Sequence, residues 1–430
     1  MLDVNLIRGE PEKVKGGVAS KNVDPKLVDR FLRFDDEWRN KTVALDQLKA
    51  EQNALNKEMA KRKSDDVLSR AQILKKRVSE VSKERDGFLV KRDETLAKLP
   101  NLPFEDTPVG KDATANKVIR EWGKKPKFSG KDGFPPKDYL SLGETLGLVN
   151  VRKAAEVSGS RFGYLLNEAV LLEFALVRLA FDLLLKEGFR PVVPPVMIRP
   201  KVFEGMGRLT AGEKDERYFL PKDDLYLVGS AEHTLGPLHL NEVLNGKDLP
   251  LRYVGFSTCF RREAGSYGKD TKGILRVHQF DKIEMFSFSR PEDSNKECDF
   301  MLLLQEKLMQ ALELPYRVVA ICTGDMGFTD AKQYDIETWL PGANEYRETH
   351  SCSNTTDFQA RGTNVKYKTK DGKKEFVHML NATGFAIGRT LIAIFENYQT
   401  KNGAIKVPEA LREYIGKDEI ETKEKRGDLF

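Results

Sequence analysis

The sequence predicts an α+β chain: an antiparallel sheet flanked by helices, preceded by an N-terminal antiparallel coiled-coil arm. Three observations carry this. From Pro25 to Leu99 there is no proline and a single glycine, Gly87, while apolar residues recur at helical spacing. Beyond residue 104, helical and extended stretches alternate. Two of the extended stretches, one ending at Phe260 and one running from Ile274 to Phe288, flank a glycine-rich loop and read as an antiparallel pair.

Composition bounds the rest. The chain has 430 residues, 40% hydrophobic and 32% charged, enough for two or three domains and too apolar for wholesale disorder. No apolar run of membrane-spanning length occurs, so no membrane partner is expected. The opening MLDVNLIRGEPEKVK mixes acids and bases without a long apolar region, so no leader is expected and a cytoplasmic location fits. Cys259, Cys298, Cys322 and Cys352 are widely spaced, which argues against a disulfide framework or a zinc knuckle. The net charge is +5. Residues 1–100 hold 23 Lys and Arg against 18 Asp and Glu, and the remainder holds 48 of each sign. All the excess positive charge therefore lies in the first quarter.

In that quarter, Phe31, Trp38, Leu45, Gln52 and Met59 recur every seven residues, with Phe34, Lys41, Leu48, Leu55 and Arg62 three positions on. This is a heptad seam with polar interruptions. A polar break at residues 61–66 precedes a second helical stretch carrying Ala71, Leu74, Val78, Val81, Phe88, Leu96 and Leu99. Two long helices and a short turn make an antiparallel hairpin. No aromatic residue occurs between Trp38 and Phe88. Such an arm lacks stacking platforms for unpaired bases, and its Lys and Arg suit phosphates and duplex shape. Charge runs on helices are also commonly solvated faces, and the charge pattern alone leaves both readings open. Pro100, Pro103 and Pro108 end the hairpin, giving domains 1–103 and 104–430.

In the second domain, Glu168 to Glu187 is a strongly apolar helix stopped by Gly188, then a strand from Phe189 to Val193. Such a helix is either core or an interface element. The first strand of the antiparallel pair ends in Arg261-Arg262-Glu263; a loop with Gly265, Gly268 and Gly273 follows; the second strand places Phe280 and Glu284 on one face. Arg261 can orient a phosphate, Phe280 can stack on a base, and Glu284 can receive an ammonium. Near the C-terminus a strand at Phe376–Leu380 leads through Asn381 to Arg389 into an apolar helix at Thr390–Tyr398. Arg389 at a helix start suits an anion, and Gly384 and Gly388 suit close backbone approach. Neither a P-loop nor a GxGxxG motif is present, so a nucleotide would be held by arginines on antiparallel strands.

These segments resemble motifs 1, 2 and 3 of the class II aminoacyl-tRNA synthetases. With the arm, the chain resembles the seryl-tRNA synthetase family over nearly its whole length. The resemblance rests on FRREAGSYGKDTKGILRVHQFDKIEM, SCSNTTDFQAR (Ser351 to Arg361) and LNATGFAIGRTLIAIFENYQT. It implies a homodimeric serine–tRNA ligase that forms seryl-adenylate from L-serine and ATP, with Mg²⁺, and transfers serine to tRNA(Ser), or tRNA(Sec) where present. The arm would grip the long variable arm of the tRNA, with the acceptor end in the catalytic domain. Carried over position by position, the resemblance makes Arg261, Glu263 and Arg389 catalytic. ATP would contact Arg261, Arg262, Glu263, Val277, His278, Gln279, Phe280, Glu348, Thr349, His350, Ser351 and Arg389. Serine would contact Ser230, Ala231, Glu232, Arg261, Glu284, Asn381 and Thr383, and Mg²⁺ would contact Glu348 and Ser351. Ser230 stands where the family usually has threonine, and His350 where a smaller residue is usual. A silent paralog would lack Arg261, Glu284 or Arg389; a carrier-protein ligase would lack the arm; a plain coiled-coil scaffold would leave the two arginines unexplained.

Overall fold

The computed structural model describes residues 1–61, 64–128, 133–264 and 272–421. It divides into two compact units, Met1–Leu102 and Pro103–Phe430.

The first unit is the predicted hairpin. Helix α1 spans Lys26–Lys61 and α2 spans Asp65–Leu96. At about 1.5 Å per residue, 36 residues extend about 50 Å. Ser64 caps α2 by accepting from the Val67 amide. Leu48, Leu55, Val67 and Leu74 form a closed apolar cluster toward the tip, with Met59, Ala71, Val78 and Val81 against it. The Lys41–Glu84 ion pair, 2.6 Å, fixes the register. Two short helices that the sequence reading passed over, Val4–Gly9 and Pro11–Ser20, precede the hairpin. They are tied to it by Asp35, which is fully buried. Arg8 binds both Asp35 oxygens at 2.8 Å, Arg39 lies at 3.2 Å and Arg92 at 3.8 Å. A buried carboxylate requires such partners.

The second unit is built on an eight-stranded sheet. In chain order its strands are β1 Lys117–Trp122, β2 Arg190–Val192, β3 Leu251–Phe260, β4 Gln279–Ser289, β5 Tyr316–Ala320, β6 Lys332–Leu340, β7 Glu345–Asn354 and β8 His378–Ala386. The spatial order is β1-β5-β6-β7-β8-β4-β3-β2. Every pairing is antiparallel except the edge pair β2–β3. Helices α3 (Glu168–Lys186), α4 (Ser294–Ala311) and α5 (Ile387–Asn397) contribute Leu176, Met301 and Ile394 to the main core, with Ile283, Met285, Cys352 and Phe385 from the strands. Gly188, at φ +85°, ends α3 as the sequence requires.

Four expected boundaries move. The second strand of the central pair starts at Gln279, not Ile274, because Gln279 pairs with Phe260, the last residue of β3. The predicted strand Phe376–Leu380 is instead a short strand, Lys374–Phe376, followed by β8. The stretch from Asn381 to Ala386, taken as a connection, is strand, because it pairs with β4. Helix α5 accordingly begins at Ile387, ahead of the expected Thr390. Of the predicted loop glycines, Gly265 and Gly268 lie outside the described residues.

Candidate active site

The face of β4 opposite the helices carries Phe280, Lys282 and Glu284, since successive side chains alternate. Thr383 of β8 lies opposite Glu284, and Ser353 of β7 lies opposite Asn381. Two register breaks adjust this face. On β8 the pairing passes from Ile283↔Phe385 to Glu284↔Thr383, leaving Gly384 as the extra residue. A Cβ on Gly384 would stand 2.9 Å from Ile283 Cγ2. On β7 it passes from Ile336↔His350 to Glu337↔Glu348, leaving Thr349 extra. Glu348, Thr349 and Ser351 thereby all reach the cavity side, while His350 turns inward.

A cavity of about 110 Å³ results. Arg261, Glu263, Val277, Phe280, Glu348, Thr349, Ser351, Thr383 and Arg389 line it, so the two arginines predicted to share one ligand face one space. Arg261 follows the end of β3; its amide donates to His278 O at 3.0 Å and its Nε to Gly229 O at 3.1 Å. Its guanidinium lies 5.2 Å from the Phe280 ring centroid. Glu263 adopts φ +52° and pairs with Arg276. Arg389 sits in the first turn of α5, with Nη1 at 2.9 Å from Glu348 O and 3.2 Å from its Oε1. A Cβ at Gly388 would make ordinary van der Waals contact, with Ile274 O at 3.4 Å. Desolvation acts to raise the Glu348 carboxyl, and the charges of Arg389 and Arg261 outweigh it, so it titrates low.

Two acids stand beside this cavity: Glu284, paired with the cavity-lining Lys282 and opposite Thr383, and Glu232, whose charge acts on it. Glu232 and Glu284 are both buried. Burial lifts the Glu284 carboxyl, and the nearby Glu232 charge adds to that, against the Lys282 ammonium paired with it. Asn381 Nδ2 is buried without a hydrogen-bond partner among the described residues. An unmet buried donor costs about 1–3 kcal/mol, which a bound hydroxyl or carboxylate would relieve. Ser230 Oγ accepts from the Glu232 amide at 3.1 Å, holding the turn, and Ala231 is buried in an apolar cluster.

Other expected contacts lie elsewhere. The His350 side chain is in the core, with Nε2 2.9 Å from Gly384 O and Nδ1 2.8 Å from Thr349 Oγ1, so its ring does not face a nucleotide in the cavity. The register break at Thr349 is the cause. Arg262 points toward the Tyr218 ring, 6.0 Å from its centroid, and does not line the cavity. His278 Nδ1 is bonded to Arg261 O at 3.0 Å, and Gln279 faces a separate, larger cavity of about 550 Å³.

Several site residues escaped the sequence reading. Lys282 and Arg276 line the cavity. Lys282 was findable, standing two residues before Glu284 on the same strand. Asp335, opposite Ser351, has its carboxyl raised well above the usual range by burial and then by Glu348. Among the described residues no cluster of three or more His, Cys, Asp or Glu side chains could hold a metal ion alone. Glu348 and Ser351 do offer oxygen donors, which suits Mg²⁺ bound jointly with phosphates.

Two arginines converging on one cavity of an antiparallel sheet, in a sequence with neither a P-loop nor a GxGxxG motif, fit the core of a class II aminoacyl-tRNA synthetase. A family model of the tRNA synthetase class II core domain (G, H, P, S and T) matches residues 218–398, and one of the seryl-tRNA synthetase N-terminal domain matches residues 1–103. The chain is 44% identical to a serine–tRNA ligase of Dictyoglomus turgidum, covering 98% of this chain and 100% of that one. It is 45% identical to a serine–tRNA ligase of Pyrococcus furiosus, covering 99% of each. Among solved structures it resembles a seryl-tRNA synthetase from Pyrococcus horikoshii complexed with ATP, with a TM-score of 0.91 and 44% identity over 98% of this chain and 100% of that one. It also resembles a cytoplasmic serine–tRNA ligase from Naegleria fowleri in complex with AMP, with a TM-score of 0.87 and 34% identity over 98% of this chain and 99% of that one. The chain belongs to the seryl-tRNA synthetase family.

Proposed function

We infer that the cavity between Arg261 and Arg389 is where this ATP-dependent serine–tRNA ligase activates its amino acid. The observation that carries the reading is the convergence of these two guanidinium groups, 128 positions apart, beside the buried acids Glu232 and Glu284.

The serine carboxylate attacks the α-phosphorus of ATP, pyrophosphate leaves, and seryl-adenylate forms. The nucleophile is already an anion and needs no general base. The barrier is the approach of two anions, and catalysis is positioning plus charge stabilisation. Arg261 spans the serine carboxylate and the α-phosphate. Phe280 offers a ring face to the adenine, with Val277 beside it and Glu263 fixing the nucleotide. Arg389 holds the γ-phosphate of a folded-back triphosphate. Glu348 and Ser351 would hold Mg²⁺, which supplies further charge neutralisation when bound. Glu232 and Glu284 receive the serine ammonium and hydroxyl, with Asn381 and Thr383 completing the serine contacts. Alanine would leave those buried partners unpaired, and such a site discriminates strongly against it. The terminal adenosine hydroxyl of the tRNA then attacks the mixed anhydride.

The hairpin, free of aromatic residues between Trp38 and Phe88 and with basic residues along its length, suits the backbone of a tRNA variable arm. Leu171 and Phe174 of α3, 47% and 59% exposed, form an apolar patch that suits a second copy of the chain. No helix among the described residues is long and apolar enough to cross a membrane, and a cytoplasmic location is part of this reading. Serine-dependent ATP–pyrophosphate exchange by the purified protein tests it, compared across serine, threonine, alanine and cysteine. Absence of exchange with serine would reduce the chain to a non-catalytic relative.

A further inference from the structure

Glu232 is buried, and among the described residues every hydrogen bond to its carboxylate falls on one oxygen. Arg208 donates to Oε1 from Nε at 3.0 Å and approaches it with Nη2 at 2.9 Å. Gln359 donates to the same Oε1 from Nε2 at 2.9 Å. Both donors are themselves held. Gln359 Oε1 lies 3.2 Å from Thr355 Oγ1, and the acceptor-only carboxylate of Glu232 requires the NH2 end of the amide to face it. Arg208 Nη2 lies 3.7 Å from Asp330 Oδ1. Asp330 is fixed in turn by Thr329 Oγ1 at 2.8 Å and Ser353 Oγ at 3.0 Å. Ser353, Thr355 and Gln359 all belong to SCSNTTDFQAR, a segment of which only Ser351 enters the chemistry described above.

We propose that Arg208 and Gln359 are positioning residues for Glu232: they saturate Oε1 and present Oε2 as the one acceptor offered to a donor group of the amino acid. The physical requirement is plain. A buried carboxylate with both oxygens free would rotate, and one left unpaired would take up a proton and become a donor itself. A donor–acceptor reversal at this atom would select the wrong substrate group. Charged and titratable groups acting on Glu232 and its surroundings are Arg208, Lys282, Glu284, Arg217, Asp330, Arg261, Glu213 and the buried His233. Burial acts to raise the Glu232 carboxyl, and Arg208 first, then Gln359 and Lys282, bring it below the usual range. Lys282 also neutralises Glu284, so Arg208 is the cation committed to Glu232.

The proposal rests on the reading of Glu232 as a serine contact, and its test separates the two. Pyrophosphate exchange by the full-length protein is measured for Arg208→Met, Arg208→Lys, Gln359→Leu and Glu232→Gln, with serine and ATP varied independently between pH 5.5 and 8. In Arg208→Met the serine KM rises about tenfold or more, the equivalent of one orienting hydrogen bond, while the ATP KM stays within about twofold. The serine KM also becomes steeper toward acid, because the carboxyl now protonates within the range. Arg208→Lys restores the flat profile, and Gln359→Leu gives a smaller rise in serine KM with the same selectivity. Equal losses for serine and ATP, or an unchanged serine KM with an unchanged pH profile, would overturn the positioning role. If Arg208→Met does not fold, Gln359→Leu and Arg208→Lys decide by the same criteria. An unchanged serine KM in Glu232→Gln would instead remove the underlying site assignment; a large effect there with none in the other variants would sink only the proposal.

Discussion

The imidazole Nε2 of His350 lies 2.9 Å from the carbonyl oxygen of Gly384, joining the extra residue of one strand break to the neighbour of another. A bulge frees a carbonyl from the ladder, and a buried carbonyl needs a donor. The His350 ring supplies it. Burial holds this histidine neutral, with its pKa lowered to about 4 despite the help that the Gly384 carbonyl gives the charged form. The sign follows: the unfolded chain takes up a proton below about pH 6.5, and the folded one resists until about pH 4. Stability is present above pH 6.5 and lost on acidification across that window, by about 3 kcal/mol in total. In His350→Gln, urea unfolding at pH 7 and pH 5 should show a smaller difference between the two pH values than the parent protein. An equal difference would place the acid sensitivity elsewhere.

Arg261→Ala should lower pyrophosphate exchange by about a thousandfold, the scale of losing a preorganised charge donor. Its side chain lines a cavity and, among the described residues, makes one hydrogen bond, to Gly229 O, so the melting temperature should move little. Arg389→Ala should weaken ATP more than serine, read as separate KM values.

Replacing residues 44–81 with a short Gly-Ser turn removes the whole apolar cluster of the arm tip and keeps the Lys41–Glu84 pair and the Asp35 network. Exchange should persist near the parent rate while aminoacylation of tRNA(Ser) falls at least about a hundredfold, a loss of about 3 kcal/mol in phosphate contacts. Charging at the parent rate would remove the arm from tRNA recognition.

Asp35→Ala strips a fully buried anion from Arg8, Arg39 and Arg92. The arginines keep access to water, at 32%, 48% and 16% side-chain exposure, so the loss is set at about 2–3 kcal/mol, below that for an enclosed pair. Thermal unfolding followed by circular dichroism checks it, with adenylate formation expected to survive.

Phe174→Glu places a charge in the exposed apolar patch of α3. If that patch meets a second copy, light scattering should report a shift toward monomer that grows on dilution. An unchanged mass would locate the subunit contact on another surface.

The helical hairpin was legible because it is made of local contacts: a run without proline and rows such as Leu48 and Leu55 at helical period are visible in one dimension. Arg261, Phe280, Glu284 and Arg389 were legible because strand alternation and a helix start place side chains without distant information. His350 was misplaced because a single extra residue, Thr349, shifts which side chain faces the cavity, and register is set by the partner strand. Ile274–His278 and Asn381–Ala386 were misread because strand limits depend on what lies alongside.

Spacing along the chain was enough for the two-part layout, the basic arm and the two arginines proposed to hold ATP. Only the tertiary structure decided that Arg208 and Gln359 meet on one oxygen of Glu232, and that His350 serves the core. These contacts join segments up to 127 residues apart. No local periodicity encodes such a meeting; it exists only once the sheet has brought its strands side by side.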